Sequence, residues 1–160
     1  MFKILFLTMV LFGYSSPISG WRLPFEQQPI LVRPYLQPSS DYSAGHRGVD
    51  YAVAIGQKLV APADGVVSFA GRLVNRGVIS IKHSGTLVSE LEPACSSVAV
   101  GQSVMAGQVI GRVCAAEPSY IQHCPKQTCL HFSVRQDGRY LSPLVFIGGL
   151  NPSRLLPYSQ

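Results

Sequence analysis

Cys129-Leu130-His131-Phe132-Ser133-Val134-Arg135 is the stretch from which the fold is read. Its aliphatic, aromatic and β-branched residues make it a strand. A Pro-containing loop over 114–128 leads into it, and Gln136-Asp137-Gly138-Arg139 turns the chain after it. The strand carries one imidazole. A second stretch, His46-Arg47-Gly48-Val49-Asp50, carries another imidazole and a carboxylate. Two nitrogens and one oxygen around an open fourth position form the ligand set of a hydrolytic zinc site. The expectation is therefore a scaffold that brings His46, Asp50 and His131 together. Each stretch alone says little, since a single His in an apolar strand is ordinarily structural.

Working outward, the chain reads as a series of short extended segments. Tyr51-Ala52-Val53-Ala54 and Lys58-Leu59-Val60-Ala61 flank the turn Ile55-Gly56-Gln57. Ala63-Asp64-Gly65 is expected to be a hairpin turn before Val66-Val67-Ser68-Phe69-Ala70, because Asp-Gly tolerates positive φ. Val78-Ile79-Ser80-Ile81-Lys82 alternates with period two, and Thr86–Leu91 is its return strand. Ile55-Gly56-Gln57-Lys58-Leu59-Val60-Ala61 is echoed by Val100-Gly101-Gln102-Ser103-Val104-Met105-Ala106. Each copy precedes a Gly and a β-branched strand, which suggests two similar hairpin units packed face to face. Carrier domains that show such echoes need an exposed Lys at a hairpin tip, and no Lys sits so here. The expected fold is all-β, a single compact antiparallel, sandwich-like domain.

Composition agrees. The 160 residues suffice for one sizeable core, 47% are hydrophobic and 13% charged, and the 15 Gly and 12 Pro suit many turns. The net charge of +5 is scattered, with no basic run interleaved with aromatics, so nucleic acid is a poor partner. Lys3 followed by Ile4–Phe12 and a small-residue boundary at Ser19-Gly20 describes a secretory signal peptide over 1–20. This run is too short for a comfortable membrane span, and it anchors the chain only if it stays uncleaved. The expected location is secreted or at the cell envelope. Residues 21–44 are expected to be an extended Pro-rich lead-in with no regular element, packed on a domain over 45–147, with a tail over 148–160.

An even number of cysteines in an exported chain points first to disulfides. Cys95, Cys114, Cys124 and Cys129 allow three pairings. Cys124–Cys129 is favoured because the two flank one short loop, and Cys95–Cys114 follows by elimination.

Taken in order, Gly-His-Arg-Gly-Val-Asp-Tyr-Ala, Val-Ala-Pro-Ala-Asp-Gly-Val-Val, Gly-Val-Ile-Ser-Ile-Lys-His-Ser-Gly, Val-Gly-Gln-Ser-Val-Met-Ala-Gly-Gln-Val-Ile-Gly and Cys-Leu-His-Phe-Ser-Val-Arg run from Gly45 to about Leu144. In order and spacing they resemble the lysostaphin-type, LytM-like peptidoglycan zinc metalloendopeptidases. The pattern is most similar to a secreted actinobacterial branch in which Cys opens the last motif. The resemblance implies zinc held by His46, Asp50 and His131, with water in the fourth position. It also implies a peptidoglycan cross-link or stem peptide as substrate.

Two positions depart from the family pattern. Cys129 stands where active members carry the first His of His-x-His, and Glu92 falls where a second catalytic His is expected. Glu92 is a candidate general base, since a carboxylate beside zinc accepts a proton from water. A disulfide-bonded Cys129 neither donates nor accepts a proton, whereas a free thiolate is itself a zinc ligand. His83 matches a structural strand-end His of the family, and His123 lies beside Cys124 in the loop. Arg135 is expected to pair at its strand end. Two functions follow from the resemblance: an exported zinc endopeptidase acting on peptidoglycan, or a degenerate domain of the same fold that binds peptidoglycan or regulates another cell-wall hydrolase. A plain secreted β domain without metal is the blandest alternative.

Overall fold

The structure, a computed structural model, describes residues 20–115, 124 and 127–148. The expected signal segment, most of the Cys114–Thr128 loop with His123, and nearly all of the tail lie outside these residues. Strands β1 (Leu31–Arg33), β2 (Val49–Ala52), β3 (Lys58–Val60), β4 (Gly65–Leu73), β5 (Arg76–Lys82), β6 (Leu87–Glu92), β7 (Ala94–Ser96), β8 (Ser103–Val104), β9 (Val109–Val113), β10 (Cys129–Gln136) and β11 (Arg139–Leu141) precede one helical turn, α1 (Leu144–Ile147). The fold is all-β and antiparallel throughout. The larger sheet runs β1-β2-β10-β6-β5-β4-β8, with β11 joined to β10, and a smaller sheet runs β3-β9-β7.

The alternation of side chains sorts the larger sheet into two faces. Val49 and Tyr51 of β2, Leu130, Phe132 and Val134 of β10, Leu91 of β6, and Ile79 and Ile81 of β5 enter the core. Leu59, Ile110 and Val113 of the smaller sheet pack against them. Burying each such side chain contributes roughly 1.5–3 kcal/mol. The intervening positions, Asp50, His131, Ser133, Glu90 and Glu92, turn to the other face. The two sheets approach closely where β7 meets β5, and a Cβ at Gly77 would collide with the carbonyl of Ala94.

The internal echo has a structural counterpart, and it recurs three times. Ala54-Ile55-Gly56-Gln57, Ala99-Val100-Gly101-Gln102 and Met105-Ala106-Gly107-Gln108 form the same turn, with Gly φ of 83°, 85° and 83°. In each, the Gln N–H donates to the first carbonyl (3.1, 3.1 and 2.9 Å). The Gln Oε1 accepts from the first N–H in return (3.0, 3.1 and 3.1 Å). The left-handed φ explains why Gly holds the third position. The first two copies exchange partners. β3 pairs with β9 and β8 pairs with β4, so each copy's strand lies against the strand that follows the other copy.

Two local expectations change. Ala63-Asp64-Gly65 is not a hairpin turn, because β3 and β4 lie in different sheets. Asp64 serves long-range contacts instead. Its Oδ1 accepts from Ala106 N–H (2.7 Å) and its carbonyl from His83 Nδ1 (2.8 Å). The Pro-rich lead-in does contribute a regular element. Leu31–Arg33 forms an edge strand on β2, a place where flanking prolines cost no ladder bonds. Phe25 is buried edge-on against Tyr51, with ring centroids 5.3 Å apart. The chain also ends its described part in α1, closed by Gly148 at φ 77°.

His83 is a satisfied core histidine. Nδ1 donates to the Asp64 carbonyl, Nε2 faces Ser89 Oγ at 2.8 Å, and Trp21 lies over the ring at 4.4 Å. Burial pulls its pKa below the ordinary 6.5, against a smaller upward pull from Asp64. A neutral buried His holds its full stabilisation above the unfolded pKa and loses it as pH falls below about 6.5 toward the folded value. The midpoint of urea denaturation should therefore fall between about pH 7.5 and pH 5.5. It should fall less in His83→Phe; equal slopes in the two proteins would show that another group sets the dependence.

Candidate metal centre

His131 occupies the middle of β10, which lies between β2 and β6. Its register partners are Asp50 on one side and Glu92 on the other. Residues directly opposite in antiparallel strands point to the same face, so Asp50, His131 and Glu92 form one row across three strands. His46 joins from the segment before β2. It is fastened by a two-way backbone bridge to Leu36, at 3.0 and 2.9 Å. Arg47 ties the neighbouring loop by donating from Nη2 to the Asp41 carbonyl at 2.6 Å.

Three side chains converge. His131 Nδ1 lies 2.7 Å from Asp50 Oδ1, His46 Nε2 lies 3.1 Å from Asp50 Oδ2, and the two imidazole nitrogens are 3.3 Å apart. A tetrahedral ion with ligand bonds of 2.0–2.1 Å would set its donors roughly 3.3 Å apart. The two imidazole nitrogens stand at that spacing and the Asp50 oxygens lie somewhat closer, so two imidazoles and a carboxylate are gathered where a single ion would need them. The ring of His46 is oriented for that task. Its Nδ1 donates to the Pro34 carbonyl at 2.7 Å. A carbonyl only accepts, so the proton sits on Nδ1 and the Nε2 lone pair faces inward. All three side chains are buried, Asp50 completely. A carboxylate taken this far from water requires cationic or donor neighbours.

Gly48 makes room for the His131 ring. A Cβ there would stand 2.5 Å from the Phe132 carbonyl oxygen and 2.6 Å from both Cε1 and Nε2 of the imidazole. Its φ is not in the left-handed region, so the requirement is one of space.

The remaining sequence candidates are placed as follows. Glu92 is buried and stands one strand over from His131, and its Oε2 accepts from Arg76 Nε at 2.6 Å. Its carboxylate is not among the gathered donors. Cys129 shares the face of His131 and is bonded to Cys124, while Cys95 is bonded to Cys114 at the far end of the smaller sheet. Arg135 reaches Glu90 at 3.9 Å, and Glu90 accepts from Ser80 Oγ at 3.0 Å. Pro34, Gly48 and Arg76 were not singled out from sequence. The first acts through a backbone carbonyl, which every residue possesses, so no sequence signal marks it. Gly48 sits inside the His46–Asp50 motif, where its spacing was the available clue.

Residues 44–143 match the family model of Peptidase family M23. An uncharacterised protein of Mycobacterium tuberculosis is 37% identical over 145 residues, covering 88% of this chain and 55% of that protein. The murein hydrolase activator NlpD of Escherichia coli is 33% identical over 137 residues, covering 83% of this chain and 32% of NlpD. This chain thus spans about half or less of these relatives' lengths. Among solved structures, lysostaphin superposes with a TM-score of 0.63 at 19% identity, over 88% of this chain and 63% of lysostaphin. A zinc containing peptidase from Vibrio cholerae superposes with a TM-score of 0.62 at 21% identity, over 76% of this chain and 38% of the peptidase. At these identities the structures speak for the fold alone. The family match extends over well more than half of the chain and encloses His46, Asp50 and His131: the protein belongs to Peptidase family M23.

Proposed function

We propose that this chain is an exported zinc endopeptidase that acts on the peptides of peptidoglycan. The observation that carries the reading is the convergence of His46, Asp50 and His131, with donor atoms 2.7 to 3.3 Å apart. Membership of Peptidase family M23 supports peptide-bond hydrolysis as the chemistry. The fold shared with lysostaphin and the sequence likeness to a murein hydrolase activator point to the cell wall. Export is supported by the apolar segment after Lys3 and by two disulfides, which persist in oxidising compartments. No helix among the described residues is long and apolar enough to cross a membrane.

When bound, zinc supplies a Lewis acid that polarises a peptide carbonyl and acidifies a water molecule. The chain's own residues do the rest. Pro34 holds His46 in the tautomer that presents Nε2, and Gly48 leaves room for the His131 ring. Asp50 balances the charge of the ion. On this reading Glu92, which accepts from Arg76 in the same cross-strand row, is the general base for the attacking water. A second reading rests on Cys129, which stands in a disulfide where active relatives carry a catalytic His. On that reading the domain binds peptidoglycan or regulates another cell-wall hydrolase.

Elemental analysis of oxidised protein should find one zinc per chain, falling to near zero in His46→Ala and in His131→Ala. Zinc at trace level in the parent protein, even after zinc is added back, would remove the metal reading. Gly48→Ala should lower the midpoint of urea denaturation, because its Cβ meets the β10 backbone as well as the His131 ring. Its zinc affinity should fall about 10–100-fold against a competing chelator, the effect typical of disturbing a ligand's support. Glu92→Gln should retain zinc yet cleave peptidoglycan stem or cross-link peptides about 10²–10⁴-fold more slowly. A zinc-loaded parent protein with no turnover of any such peptide would favour the second reading.

A further inference from the structure

The Cys124–Cys129 bond lies against the metal centre. Both sulfurs and a carboxylate oxygen of Asp50 lie within 4.8 Å of one another, and both cysteines are buried. Cys129 precedes His131 by two residues on β10, so the pleat points both side chains to the same face. Its register partner on β2 is Ala52, a side chain too short to stand between the sulfur and Asp50. As a disulfide these sulfurs are poor donors, whereas a thiolate is among the strongest zinc ligands. The bond also does less for the fold by chain entropy than its counterpart. It spans a sequence separation of 5, against 19 for Cys95–Cys114, and short loops gain least from closure. A bond that touches the ligand set and is the weaker of the two constraints on the chain fits a switch.

We propose that Cys124–Cys129 is a redox-controlled gate on the metal centre, in which reduction frees Cys129 to occupy the ion's remaining position and shut the hydrolytic site. The inference rests on the zinc reading above. The reductant is a dithiol. Its thiolate attacks one sulfur, the Cys124–Cys129 bond breaks, the cysteine pair takes up two electrons and two protons, and the dithiol leaves as a disulfide. Cys129 then loses its proton to solvent as its sulfur bonds the ion and displaces water. A tetrahedral ion would set a thiolate sulfur and a carboxylate oxygen roughly 3.5 Å apart, and in the oxidised arrangement they already lie within 4.8 Å. The oxidised protein is thus the form with a position left for water, as suits an extracytoplasmic compartment, and the reduced protein is latent.

Cobalt(II) replaces zinc as the probe, and the full chain is used. Oxidised protein should bind one cobalt per chain, lost in His46→Ala, with no thiolate-to-cobalt charge-transfer band in the near ultraviolet. Protein reduced with dithiothreitol, desalted under inert gas and checked for free thiols should show that band on loading. Cys124→Ser should show it without reductant, and Cys129→Ser should not show it in either state. Free thiols without the band in reduced parent protein, or a cobalt-loaded Cys124→Ser without it, would overturn the gate. A band retained in reduced Cys129→Ser would overturn the assignment to Cys129. Failure of oxidised protein to bind cobalt would instead strike the metal reading itself, so the two failures are told apart.

Discussion

The burial of one face of β10 is the constraint on which the rest of this structure depends. Leu130, Phe132 and Val134 are fully excluded from solvent. Side chains on a strand alternate with period two, so seating these three in the core commits Cys129, His131 and Ser133 to the opposite face. A slip of one residue would bury the imidazole in the core and expose the apolar set, at a cost of several kcal/mol on area alone. The same register sets Asp50 and Glu92 on either side of His131. The position of the polar row is thus a consequence of apolar packing on the reverse of the sheet.

The polar row is held from outside the sheet as well. Asp50 has no exposure, and the Nε2 lone pair of His46 faces its Oδ2 at 3.1 Å, so a cation between them is what would make the buried carboxylate tolerable. His46 is fixed by backbone contacts to Leu36 and Pro34. The lead-in therefore belongs to the site as much as the strands do, although the family match begins only at residue 44. Farther along the same face, Ser80, Glu90 and Arg135 continue a chain of hydrogen bonds and ion pairs. This face is polar because neither the core nor the smaller sheet covers it.

The repeated Gly-Gln turns show how a short motif can build a two-sheet domain. Each turn closes on itself through the Gln side chain, so it forms without help from distant residues. Gly56 and Gly101 then donate to Val113 and Val67, at 2.9 and 2.8 Å, on strands that follow the opposite copy. The exchange ties the two sheets together. It also explains why Asp64-Gly65 passes between sheets where an isolated reading expects a hairpin: β4 already has β5 and β8 as neighbours.

Much of this was legible in one dimension. The all-β antiparallel fold follows from short β-branched runs punctuated by Gly and Pro, because alternation and turn chemistry act over a few residues. The residue types of a metal site, and the family that shares their spacing, were legible for the same reason. The sequence could not show that His46 presents Nε2 while His131 presents Nδ1, that a proline carbonyl chooses the tautomer, or that Arg76 reaches Glu92. Nor could it show the third Gly-Gln turn as one of a set, since Met105-Ala106-Gly107-Gln108 straddles the end of one copy of the echo and shares only Gly-Gln with the others. These are relations between residues up to 85 positions apart. They depend on strand register and on which face is buried, and those are settled only when the whole core packs.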